Sequence, residues 1–219
     1  MIHRLSFFLS FCLFACTVIA EVPGIHLADK SLSVEFLDSD EKEFFISQTM
    51  DLSGRLFVGC REALYVYEPT ADGGFGARQE LYRFPKDSWL YDLEVYGNDL
   101  FVLTNTALYR MRDAITRRSN LKPEKLLWGK PQGHFHQGLH GMEFGPTGDL
   151  FLSMGDPQPH MHWDRSRPDH LWHWVFYVGP DNKEVPYTGV GAVFRYRLKD
   201  HSLTIHASGL RNSCGISFD

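Results

Sequence analysis

Gly54-Arg55-Leu56-Phe57-Val58, Asn98-Asp99-Leu100-Phe101-Val102 and Gly148-Asp149-Leu150-Phe151-Leu152 restate one pattern, a Gly or Asn turn followed by a short apolar strand. Each is followed by a second apolar-rich strand: Ala63-Leu64-Tyr65-Val66-Tyr67, Ala107-Leu108-Tyr109-Arg110-Met111 and Ala192-Val193-Phe194-Arg195-Tyr196. Similar strands precede the second and third copies, at Leu90 to Val95 and Gly141 to Phe144, and Gly215-Ile216-Ser217-Phe218 would open a further one. A period of roughly 40 to 50 residues holding several short strands is the pattern of β-propeller blades. Apolar and polar residues alternate in several of these strands, as expected of sheets with two distinct faces. An ordinary β-sandwich is the rival, but it does not explain why strand order and turn chemistry recur together. The expected fold is therefore all-β, a β-propeller. No long amphipathic helix competes, and Met111 to Lys125, with Pro123 and mixed charges, reads as an extended connection between strands.

Outward from the repeat, the chain has three further parts. Residues 1–20 carry His3 and Arg4 ahead of an apolar run and end in Val18-Ile19-Ala20, the form of a secretory signal peptide. The run is shorter than the ~20 residues a bilayer span requires. Export to the periplasm or medium is expected, with a lipoprotein anchored at Cys16 as the minor alternative. Residues 21–42 form a lead-in, and residues 43–219 form the propeller, of which this chain would hold the first half to two-thirds. Gly155 to Gly189 interrupts the third unit with Trp163, Trp172, Trp174, Phe176, Tyr177 and several prolines. Long insertions between propeller strands project from one rim, where they can cover the channel and shape a pocket.

The balance of 22 Lys+Arg against 27 Asp+Glu, net −5, supplies no counterion-release drive toward a phosphate backbone, so nucleic acid is not an expected partner. Of four cysteines, Cys12 and Cys16 lie in the signal segment, leaving Cys60 and Cys214, expected as two separate buried side chains. No Cys-x-x-Cys-His occurs, so the chain itself attaches no c-type haem.

Seven of the 11 histidines fall between His134 and His173. His134 and His136 would share one face of a strand, so either hydrogen bonding in a cleft or a metal site completed by His140 fits the residues, although the spacing matches no zinc signature. Gly209-Leu210-Arg211-Asn212-Ser213-Cys214-Gly215 is a polar turn ahead of an apolar strand. Its Arg211 fork could pair with a carboxylate or a quinone oxygen, or bridge neighbouring blades.

Gly138-Leu139-His140-Gly141-Met142-Glu143-Phe144-Gly145-Pro146-Thr147-Gly148-Asp149-Leu150-Phe151-Leu152-Ser153-Met154-Gly155-Asp156, with Gly209-Leu210-Arg211-Asn212 and Gly215 to Asp219, resembles the glucose/sorbosone dehydrogenase family of quinoproteins. Gly191-Ala192-Val193-Phe194-Arg195 adds a likeness to the planctomycete-type membrane-bound dehydrogenase domain proteins. The resemblance covers residues 43 to 219. It implies a six-bladed propeller that binds pyrroloquinoline quinone, admits calcium, and oxidises a sugar or alcohol. It implies His140 as the base, with His136 in reserve, and Arg211 and Asn212 on the cofactor side. Gln137 falls at or beside the position of the histidine in the active dehydrogenases. A c-type cytochrome domain is the electron acceptor that the resemblance suggests. The reading from another class is a non-catalytic propeller that binds glycans or a protein through its Trp-rich rim.

Overall fold

The computed structural model describes residues 37–40, 42–105, 107–117, 119–129, 139–155, 175–177, 191–210 and 213–218. The chain divides into Met1–Asp40 and Glu41–Asp219, and every strand among the described residues lies in the second unit. All regular structure among the described residues is β.

The first sheet runs in chain order: β1 (Ser47–Met50), β2 (Leu56–Gly59), β3 (Ala63–Tyr67) and β4 (Gln79–Arg83). The second repeats it with β5 (Leu90–Tyr96), β6 (Asp99–Thr104), β7 (Ala107–Met111) and β8 (Pro123–Gly129). The third comprises β9 (Leu139–Phe144), β10 (Leu150–Met154), β12 (Gly191–Tyr196) and β13 (Leu203–Leu210). Neighbours within each four-strand sheet are antiparallel. The opening strands stand side by side, β1 against β5 and β5 against β9. Three up-and-down sheets ranked around their first strands are propeller blades, with β1, β5 and β9 innermost. The fold is a partial β-propeller.

Local chemistry dictates the repeat. Gly54, Gly97 and Gly148 hold φ of 84°, 61° and 76°, the left-handed conformation that a tight turn into β2, β6 or β10 demands and that a Cβ penalises. The strands after these turns are buried on both faces because blades stack: β2, β3 and β10 are buried throughout. One core joins the first and second blades through Phe57, Leu64, Val66, Leu93, Leu100 and Val102. A second joins the next pair through Phe101, Leu103, Leu127, Met142, Leu152 and Phe194. Leu100 is fully buried between blades, and its truncation to alanine would cost about 2–5 kcal/mol.

Three expectations change. Pro123 does not sit in an extended connection; it opens β8, where the first position of a strand tolerates a missing N–H. Ser213 to Phe218 is irregular rather than a strand, though it lies against β9. Cys60 is buried as expected, but Cys214 is exposed. The described strand of the insertion, β11 (Val175–Tyr177), pairs antiparallel with β8, Phe176 opposite Trp128, as a fifth strand on the outer edge of the second blade, and residues 156–174 and 178–189 lie outside the described residues.

Candidate functional site

Two of the innermost strands carry a β-bulge at the same place in their blades. On β5, Leu90 faces Thr104 and Asp92 faces Leu103, which leaves Tyr91 as the extra residue. On β9, Leu139 faces Met154 and Gly141 faces Ser153, which leaves His140 extra. Thr104 and Met154 occupy matching positions, each four residues beyond the repeat leucines Leu100 and Leu150. A bulge takes one side chain out of the alternation of its strand and re-aims it. Here both extra residues meet: the rings of Tyr91 and His140 stand edge to face, 5.5 Å between centroids at 89°.

A third group joins them from Ser213 to Phe218. Cys214 Sγ lies 4.0 Å from His140 Nδ1. The backbone fit underneath is close, since a Cβ on Gly141 would stand 3.2 Å from both the Cys214 carbonyl oxygen and the Gly215 Cα. His140 is only 8% exposed. Tyr91, His140 and Cys214 thus form one cluster at the same end of adjacent elements.

Below them along the same strands lie carboxylates. Asp92 accepts the Leu93 amide at 2.9 Å and the Met142 amide at 2.7 Å. Burial pushes its carboxyl up to about 6, and those two amides, which favour the ionised form, hold it from going further. Glu94 is pushed up to about 8, first by burial and then by the negative charges of Glu143 and Asp92. Burial, followed by repulsion from Cys214, also raises the Tyr91 phenol.

The approach to β5 is strained. Asp87 and Trp89 have φ of 62° and 43°, in the region that bulky residues avoid. The Arg61 guanidinium lies 4.6 Å from the Trp89 ring centroid, and the Trp89 amide donates to the Arg61 carbonyl at 2.6 Å. Strain of this kind persists only where surrounding contacts hold it.

Of the residues singled out by sequence, His140 is in this cluster. His136, Gln137, Arg211 and Asn212 lie outside the described residues, as do His134, Trp163, Trp172 and Trp174. Among the described residues no three His, Cys, Asp or Glu side chains are grouped to hold a metal. Sequence reasoning missed Tyr91, Asp92 and Cys214. The usable signal was the alignment of blades on Leu100 and Leu150, which places Tyr91 level with His140 once the turn before Leu150 is allowed one residue more than the turn before Leu100.

No family model matches the chain, and no curated protein matches it. Among solved structures it is similar to virginiamycin B lyase from Staphylococcus aureus, at 14% identity over 74% of this chain and 55% of that one, TM-score 0.40. A catalytically inactive variant of that lyase with quinupristin gives 12% identity, 78% and 57% coverage, and TM-score 0.38. A streptogramin B lyase gives 11% identity, 77% and 55% coverage, and TM-score 0.39. The chain spans little more than half the length of each. Likenesses this slight carry no argument about chemistry, and the propeller assignment rests on strand order.

Proposed function

We propose that the chain belongs to an exported propeller dehydrogenase that oxidises a sugar or alcohol, with His140 as the group that removes the hydroxyl proton. The observation that carries this reading is the pair of matching bulges, which deliver a histidine and a tyrosine to one point on the innermost strands of a propeller. An imidazole titrates near neutrality, which suits it to take a proton and return it at working pH. Edge-on packing by Tyr91 restricts the ring, so its orientation is set before substrate arrives.

The cofactor in this reading is pyrroloquinoline quinone, with calcium admitted. Arg211, Asn212 and Gln137 would hold it, since a guanidinium fork and carboxamide N–H groups match quinone oxygens as donors. When bound, the quinone supplies a two-electron, hydride-accepting centre. A cytochrome domain would then carry the electrons onward.

The test takes the full chain, titrates it with pyrroloquinoline quinone and calcium by calorimetry, and follows dye reduction with a panel of aldoses and alcohols. Saturable binding that is lost in Arg211→Ala, with dye reduction lost but binding retained in His140→Ala, is the expected result. A folded protein that binds no quinone overturns it, and ligand binding that falls with Trp172→Ala or Trp174→Ala instead would establish the rim-binding alternative. Export is checked on the secreted product, whose N-terminus is expected at Glu21.

A further inference from the structure

Beside its proposed part in substrate oxidation, His140 makes a second pairing, with a thiol. Cys214 is exposed, its sulfur is 4.0 Å from Nδ1, and the imidazole is more than nine-tenths buried and held edge-on by Tyr91. The separation is set by backbone as well as by side chains. One partner is the extra residue of a bulge, and the other sits on a segment whose carbonyl and neighbouring Cα rest where a side chain on Gly141 would be. A nucleophile beside a base, with the base oriented by a third group, is the arrangement that activates cysteine toward electrophiles. We propose that Cys214 is a modification site, a solvent-reachable thiol that attacks soft electrophiles and hydrogen peroxide while His140 Nδ1 takes its proton.

The chemistry balances without a further component. With the ring proton on Nε2, Nδ1 accepts the thiol proton as sulfur attacks. On a haloacetamide the C–S bond forms and halide leaves. On hydrogen peroxide the sulfur bonds to one oxygen, the O–O bond breaks, and the departing hydroxide collects the proton from His140. The products are a sulfenic acid and water, with sulfur oxidised by two electrons and peroxide reduced by two. Cys60 is fully buried in the first blade and cannot reach out as a resolving thiol. Of the carboxylates on the same two strands, Asp92 is engaged by the Leu93 and Met142 amides, while Glu94 and Glu143 lie further along. An adduct on Cys214 would stand against the imidazole, so modification and substrate oxidation would compete for one histidine.

The experiment treats the native full chain at neutral pH with iodoacetamide, and separately with hydrogen peroxide plus dimedone, and maps labels peptide by peptide. Cys214 is expected to alkylate about tenfold faster than the thiol of glutathione, and His140→Gln to remove most of that advantage. Dimedone is expected on the Cys214 peptide and to be absent in Cys214→Ser. Cys60 serves as the internal gauge of folding, because it becomes reactive only when the first blade opens. A rate no greater than that of glutathione overturns the proposal by itself, as does an unchanged rate in a His140→Gln protein whose Cys60 stays protected. If the variant exposes Cys60, the wild-type rate decides. No quinone or sugar is present, so this outcome is independent of the dehydrogenase test.

Discussion

The Met142 amide donates to Oδ2 of Asp92 at 2.7 Å, a hydrogen bond that runs from the innermost strand of one blade to that of the next. The first junction has a counterpart, since Ser47 Oγ donates to the Leu90 carbonyl at 2.6 Å. The Leu90 amide also donates to the Cys60 carbonyl at 3.0 Å across that junction, and apolar packing, which is non-directional, adds to these links. These polar links fix how far one blade slides along another.

Asp92→Ala leaves the Leu93 and Met142 amides without this acceptor and is expected to cost about 1–3 kcal/mol. Asp92→Asn keeps a carbonyl oxygen and should lose distinctly less. Urea denaturation of both variants makes the comparison, and equal losses would mean that charge rather than hydrogen bonding matters.

Glu94 sets a pH dependence. Its folded carboxyl is pushed up to about 8, above the ordinary value of 4.5, so between those limits the folded chain holds a proton that the unfolded chain releases. Stability from this group therefore falls as pH rises from about 4.5 to about 8. Glu94→Gln should flatten that limb and raise stability at pH 9 by on the order of 1 kcal/mol, after allowance for its partial contact with water. Thermal melts of both proteins across pH 5 to 9, run at one ionic strength, check it.

Arg195 Nε donates to Asp149 at 2.7 Å, and Arg110 Nε donates to Asp99 at 2.6 Å, the same link in two blades. Each joins the start of a second strand to the third. A double-mutant cycle on Asp149 and Arg195 should give a coupling of about 1 kcal/mol that shrinks in 1 M salt. A coupling indistinguishable from zero would reduce the pair to a surface accident.

Gly141→Ala would bring a methyl group to 3.2 Å from Ser153 Oγ as well as from backbone of Cys214 and Gly215. Backbone gives way less readily than a side-chain tip, so the expected result is displacement of Ser213 to Phe218 from β9. Amide hydrogen exchange should rise in that segment with little change in β2 and β3.

The legible part of the fold was its middle. β2, β3, β6, β7, β10 and β12 are the strands pressed between neighbouring blades, and apolar residues on both faces made them visible. The outer strands were not seen, because β4 is largely exposed and β13 almost wholly so, leaving no apolar pattern to read. At the site, His140 stood out through its motif, whereas Tyr91 did not. Its position depends on an extra residue in β5, and pairing register is not written in composition. Cys214 was expected inside because small apolar side chains usually are, but it is exposed.

The pairing of β11 with β8 also bears on how the chain assembles during synthesis. The second blade gains its fifth strand from residues that leave the ribosome only after β9 and β10 have emerged. The second blade is consequently complete only after part of the third has emerged, and a ribosome paused between Gly129 and Val175 would present β8 with an open edge, a place at which nascent chains can pair with one another.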